Sequence, residues 1–329
     1  RQGTLPPDGR GGTNSAANVY SELLQIPRDI SVVDHKDYKN NPFATPDYYF
    51  TWYADNPYYA IHENLNEYKE NRFFGNTEMT YEFFKDFKGT FRLGTDITNY
   101  IRRDWEAINK YTPGSWNAEA GKKENPGYYA DLFGKRQEIY ADLLFQYQHN
   151  VNDFSFNALG GYNINQRDGR SIGSSISTLE VPYWYNIKNS STPANTSTYE
   201  YKRRSYSVFG QLDFGYKNYA FLSLVARNDW SSTLPKNNNS FFYPGVNTSI
   251  ILSDAIPSLK DYISFAKIRG SWGKTGNDAD VYQIKSVFVP SEIFNPWGNL
   301  IFPINGVNAY EVGNSIGNKN LKPEISSEW

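Results

Sequence analysis

The chain has 329 residues, enough for one large or two ordinary domains, and a formal charge of −2. It holds no cysteine, which excludes a disulfide-stapled fold, thiolate metal sites and cysteine nucleophiles. The near-neutral charge gives no basic footprint for nucleic acid, and no run of 18 or more apolar residues forms a transmembrane helix.

Residues 1–18 are rich in Gly, Pro and polar residues and read as loop. Residues 19–70 are irregular, broken by Pro27, Pro42, Pro46 and Pro57, with a dense aromatic loop DYYFTWYADNPYY at 47–59. The aromatic loop is expected to pack loop against loop. The range 1–70 is therefore expected to be an irregular, aromatic-rich segment, and 71–329 a series of strands.

From about residue 72 the chain alternates. Phe73, Gly75, Thr77, Met79, Tyr81 and Phe83 share one face, and Asn76, Glu78 and Glu82 share the other. After a turn near 85–88, Phe91, Leu93 and Ile97 oppose Arg92 and Asp96. A third strand sets Ile139, Leu143, Phe145 and Tyr147 against Glu138 and Asp142. The tight turn Asn150-Val151-Asn152-Asp153 leads to a fourth, with Phe154, Phe156, Tyr162 and Ile164 on one face. In strands five and six, Tyr206, Val208, Leu212 and Phe214 share a face, as do Ala220, Leu222, Leu224 and Ala226. Strand seven is predicted near 241–252, a short helix at Ala255–Lys260, strand eight at Ile263–Lys274, and a ninth strand begins at the Trp329 end. Long polar loops are predicted at about 106–133, 169–199, 231–240 and 278–320.

Alternation over about ten residues means two environments on two faces. Repeated with aromatic ends, short turns and long loops, it is the pattern of a transmembrane antiparallel β-barrel wall, with short turns periplasmic and long loops extracellular. A soluble β-sandwich with one face in its core fits the same alternation. As functions, a carbohydrate-binding or adhesion domain is the alternative to a membrane wall.

Candidate site residues follow from exposed aromatics. Tyr183, Trp184 and Tyr185, in VPYWYN, suit stacking on sugars, packing on peptides or contact with a partner, and Trp116 and Trp297 are further candidates. Arg227, Asp229 and Trp230 read as structural, with Arg227 pairing to Asp229, Asp213 or a neighbouring strand and Trp230 anchoring at an interface. His35, His62 and His149 are far apart in sequence, so neither catalysis nor a metal is expected, and no cofactor. Asn277, Asp278 and Asp280 lack calcium-loop spacing and read as a solvated loop. The Asn-x-Ser/Thr matches at Asn189, Asn195, Asn238 and Asn247 read as chance.

Several stretches resemble one family. RNDWSSTLP at 227–235, ISFAKIRGSWGKTGND at 263–278, NEYKENRFFGNTEMTYEF at 66–83 and NLKPEISSEW at 320–329 are similar to the signature of SusC/RagA-type TonB-linked outer-membrane transporters of Bacteroidetes. The signature positions include Arg227, Asn228, Asp229, Trp230, Pro235, Trp272, Gly273, Leu321, Lys322, Pro323 and Glu324. The resemblance implies a barrel of roughly 22 strands, plugged by an N-terminal domain and energised through TonB. It implies a SusD-like surface lipoprotein as a lid, an outer-membrane location, and oligosaccharide or peptide cargo. The chain carries neither TonB box nor plug. It is expected to be about eight or nine strands of that barrel, completed by another piece of the same transporter.

Overall fold

The computed structural model describes residues 23–24, 26–50, 55–295 and 298–329. Its core is one sheet of nine strands hydrogen-bonded in chain order. They are β1 (Leu65–Phe84), β2 (Phe87–Asn109), β3 (Asn125–Val151), β4 (Phe154–Ile176), β5 (Asn195–Tyr216), β6 (Ala220–Ser231), β7 (Ser240–Ile251) and β8 (Lys267–Asn277), and last β13 (Glu324–Glu328). Between β8 and β13 lie two small hairpins, formed by β9 (Phe288–Pro290) with β12 (Tyr310–Val312) and by β10 (Glu292–Asn295) with β11 (Gly298–Ile301). The sheet is open among the described residues, with β1 and β13 as its edges.

The faces explain the alternation. In register, Tyr206 faces Trp230, Leu212 faces Leu224 and Phe214 faces Leu222. Val246 continues that row from Leu224 to Trp272. Tyr206, Leu212, Phe214, Leu222, Leu224 and Val246 are exposed and the two tryptophans half-buried, whereas Ser207 on the opposite face is 1% exposed. A soluble sandwich buries its apolar face. Here the polar face is the sheltered one and the apolar face lies open, so the sandwich alternative falls. A one-residue slip would carry Asp213 onto the apolar face, where a carboxylate is destabilising by less than the roughly 2–4 kcal/mol of a Lys or Arg at the bilayer midplane.

Two aromatic belts bound the apolar face. Near the short turns, Phe87 stacks on Phe145 (6.1 Å), Phe156 packs on Phe214 (5.3 Å) and Phe154 on Tyr216 (4.8 Å). At the other limit, Tyr206 stacks on Trp230 with centroids 4.9 Å apart and planes at 11°.

The short turns are built from backbone geometry. Lys217 and Asn218 have φ of 46° and 58°, and Tyr219 N–H donates to the Tyr216 carbonyl at 3.1 Å, which closes a two-residue turn of the type that matches strand twist. Neighbouring turns are linked in series. Gln148 N–H donates to the Asp86 carbonyl (2.8 Å), Lys217 N–H to Asp153 (2.8 Å) and Ile251 N–H to Tyr219 (2.7 Å).

Five expectations about boundaries change. β1 begins at Leu65, and a seven-residue helix, Pro57–Glu63, precedes it, so the irregular range does not extend to 70. The helix is capped by the Asn56 side chain, which accepts from Tyr58 N–H at 3.0 Å. The 106–133 loop contracts to the residues between Asn109 and Asn125, and the 169–199 loop to those between Ile176 and Asn195. The 278–320 stretch carries the two hairpins. The short helix expected at Ala255–Lys260 divides into a four-residue α-helix at Leu252–Ala255 and a 3-10 helix at Pro257–Asp261, with Pro257 at its start. Beyond the apolar belt polar and apolar residues are buried alike, Glu106 beside Ala107 and Tyr129 in a cluster with Ile176 and Leu179, so alternation fades while the backbone ladder continues.

The described chain divides into two compact units, one of 1–73, 97–136 and 169–200, the other of 74–96, 137–168 and 201–329. The divisions fall where the apolar rows of β1–β5 end. In the first unit, the 47–59 stretch does pack against a loop where it is described. Asp47 accepts from Thr112 N–H and hydroxyl at 2.8 Å, and Asn117, fully buried, donates to the carbonyls of Pro46 and Tyr49. Lys122, with no exposed side chain, pairs with Asp55 at 2.9 Å.

Candidate functional site: the polar inner face and an aromatic loop

The sheltered face of the second unit is lined with charges and amides that satisfy one another. Arg92 pairs with Glu78 at 2.8 Å and Asp142 at 3.6 Å, and Arg167 with Glu138 at 3.0 Å. Asn163 donates to Asp142 (2.6 Å), Asn165 to Glu138 (2.5 Å) and Asn157 to Asp213 (3.0 Å). The ion pairs are part-exposed, so each contributes at most about 1 kcal/mol.

The signature residues sit at the long-loop end of this face. Arg227 Nε donates to Asp229 at 2.7 Å, and its other nitrogen to Ser207 Oγ at 2.8 Å, with the guanidinium 5.3 Å from the Phe209 ring centre. Of the partners expected from sequence, Asp229 is the carboxylate it takes. Tyr243 donates to the other Asp229 oxygen. Trp230 is on the apolar face, stacked as described. Asn228 donates to Ser240 Oγ at 3.0 Å, Pro235 closes a turn by accepting from Asn238 N–H at 2.8 Å, and Asn238 donates to the Leu321 carbonyl at 3.2 Å. Gly273 pairs in register with Gly245, beside Trp272 on the opposite face. Glu324 pairs in register with Asn277, just past Lys322 and Pro323.

Asp278 departs most from expectation. It is not solvated: its side chain is 3% exposed, and Arg203, Ser231 and Thr233 all donate to it, Thr233 at 3.0 Å. The strand-six signature and the strand-eight signature thus meet at one carboxylate. A cleft of about 200 Å³ opens beside it, lined by Asn163, Asn165, Arg167, Arg203, Arg227 and Asp278 among others. Its groups can hydrogen-bond a polar ligand.

The aromatic candidates belong to the first unit. Tyr183 is 71% exposed with φ of +61°, a backbone setting that costs a non-glycine residue energy and marks a held conformation. Trp184 is 48% exposed. Tyr185 is half-buried against Trp105 (5.6 Å) and packs on the Tyr129, Ile176 and Leu179 cluster. Burial, with Glu63 and Tyr183 nearby, pushes its phenol up to about 12. Trp116, exposed, opens a four-residue helix capped by Ser115. Trp297 lies outside the described residues.

Asn189 holds the aromatic loop, a role that sequence reading missed. Its side chain is buried, donates to the carbonyls of Val181 and Trp184 (both 2.7 Å) and accepts from Val181 N–H at 2.9 Å. Every polar function of one amide is spent on one turn. Asn189→Ala is expected to remove roughly 2–3 kcal/mol of local stability. Hydrogen exchange in 177–194 should then quicken by more than tenfold, and unchanged exchange would show that the amide is dispensable.

The three histidines have separate surroundings: His35 against Tyr49, His62 stacked on Tyr38, and His149 bonded to Asp86 at 2.7 Å. No cluster of three or more metal-ligating side chains occurs among the described residues.

A sheet with an outward apolar band between aromatic belts, a polar inner face, and short turns opposite long loops is the wall of a transmembrane β-barrel. Residues 18–329 match the family described as TonB dependent receptor-like, beta-barrel, and the chain belongs to that family, whose members are receptors rather than enzymes. It is similar to TonB-dependent receptor P3 of Formosa agariphila, 28% identical over 282 residues, covering 83% of this chain and 26% of that protein. It is also similar to TonB-dependent receptor P26 of the same organism, 30% identical over 150 residues, 44% of this chain and 15% of the relative. The fold matches solved structures of the RagAB peptide transporter (TM-score 0.64) and of the RagAB peptide importer in a closed-closed state (0.63). Each is 17% identical and covered to 83% of this chain and under a third of the other. The motif-based recognition therefore stands, and the chain spans about a quarter or less of the curated relatives it matches.

Proposed function

We propose that this chain is part of the wall of an outer-membrane importer of oligosaccharides or peptides, energised through TonB and closed outside by a SusD-like lipoprotein. The observation that carries this is the inverted sheet, apolar outside and hydrogen-bonded polar inside, on a chain of the TonB-dependent receptor family. The RagAB neighbours, named as peptide transporters, support the import reading. The long-loop end is extracellular by the usual asymmetry of bacterial barrels. Both sheet edges carry unpaired backbone groups that lipid cannot satisfy, so further strands close the wall. The test is mild-detergent extraction of the intact protein followed by denaturing mass analysis of what co-purifies. Closing strands and a surface lipoprotein are expected. A chain that stays folded and monodisperse without detergent overturns the reading.

Cargo meets the loop aromatics first. Trp184, exposed and backed by Asn189, is expected to contribute to cargo affinity. Trp184→Ala should weaken binding about tenfold in titration calorimetry, as loss of an exposed stacking contact does. Unchanged affinity with loss of lipoprotein binding would reassign it to the lid.

A further inference from the structure

The apolar rows of β4 and β5 end in step. On the outward face β4 passes from Tyr162 and Ile164 to Gln166 and Asp168, and β5 from Val208 and Tyr206 to Arg204 and Lys202. Arg204 and Lys202 are exposed, directly past the Tyr206–Trp230 stack. Arg204 Nε donates to Gln166 Oε1 at 2.9 Å, which fixes the guanidinium and leaves its terminal nitrogens unspent in the described chain. On the same face of β4, Asp168 accepts from Gln166 Nε2 at 3.0 Å, and among the described residues it makes no ion pair with either cation. The next outward carboxylate along β5, Glu200, is held by Arg170 at 2.8 Å.

The contrast with the inner face is the argument. Inside, Arg92, Arg167, Arg203 and Arg227 each hold a carboxylate within 4 Å. Outside, at the limit of the lipid-facing band, two neighbouring cations do not. An aromatic pair belongs at the headgroup level, and cations past it meet the charged groups of lipids there. A guanidinium held by one nitrogen presents the fork that matches a phosphate.

We propose that Arg204 and Lys202, with Gln166 as the residue that orients Arg204, bind a phosphate group of an outer-leaflet glycolipid. This rests on the outer-membrane placement and loop orientation proposed above. The surface faces the bilayer rather than the lumen, so it commits to lipid and not to cargo.

The test is native mass spectrometry of the intact protein in mild detergent, titrated with diphosphorylated lipid A, with the same lipid stripped of phosphate, and with inorganic phosphate. The phosphorylated lipid is expected to be retained, and retention to fall about fivefold for each of Arg204→Gln and Lys202→Gln. Gln166→Leu should weaken it less, and Arg204→Lys should restore part of the loss. Equal retention of the dephosphorylated lipid, or full retention by the double variant, overturns the proposal while leaving the barrel placement intact. Competition by inorganic phosphate at equal concentration would make it a free-anion site and overturn the lipid assignment. Heat-modifiable migration of each variant confirms that the wall still folds.

Discussion

Asp278→Ala costs the barrel mouth about 3 kcal/mol, the low end of the range for breaking a buried ion pair. The low end applies because Arg203 is 34% exposed and water screens it in part. The remainder of the loss comes from Ser231 and Thr233, 3% and 2% exposed, whose hydroxyls lose their common acceptor. Asp278→Asn keeps one acceptor oxygen and should cost about half as much. The readout is hydrogen exchange of the intact protein in detergent. Peptides covering 231–234 and 278–287 should exchange about a hundredfold faster, because Tyr282, which accepts from Lys202 N–H at 3.2 Å, is released with the loop root. Exchange confined to wild-type rates in both peptides would mean that the carboxylate holds nothing.

Gly161→Ala is expected to destabilise the wall by about 2 kcal/mol, within the range for overpacking. A β-carbon at 161 would stand 2.3 Å from Phe209 Cζ. The ring cannot swing away freely, because Arg227 lies over it and is itself fixed by Asp229 and Ser207. Gly160→Ala is the internal control, since nothing lies within 4 Å of the added carbon. Combining Gly161→Ala with Phe209→Leu should recover much of the loss in chemical unfolding, giving a coupling energy of opposite sign to the single costs. Strict additivity would show that the two positions do not share the space.

The membrane-level fold was legible because lipid enforces it. Tyr206 to Phe214 and Ala220 to Ala226 alternate since one side meets hydrocarbon and the other a polar interior, and a period of two survives in the letters. The turn at 150–153 was legible because Asn tolerates the positive φ found at Asn152. The rest was hidden for physical reasons. β2 runs on to Asn109 and β3 starts at Asn125, through a stretch where polar and apolar residues alike are buried, Glu106, Ala107, Asn109 and Tyr129 among them, so no alternation records the ladder. Asp278 looked like loop because its main partner, Arg203, is 75 residues away. Asn189 sat among Ser, Thr and Asn, where one more amide carries no signal. The pairing of Arg227 with Asp229 was legible because the two lie two residues apart, on the same face of the same strand.

The length of β3, 27 residues, is well over twice the 9–11 or so that cross a bilayer. That surplus divides the gene as well as the strand. Codons within the greasy rows answer to hydrocarbon and admit few letters. Those beyond answer to the ladder and to local packing, as Tyr129 does with Ile176 and Leu179, and not to hydrocarbon. The same membrane-spanning frame can thus persist beneath an outer wall that is free to change.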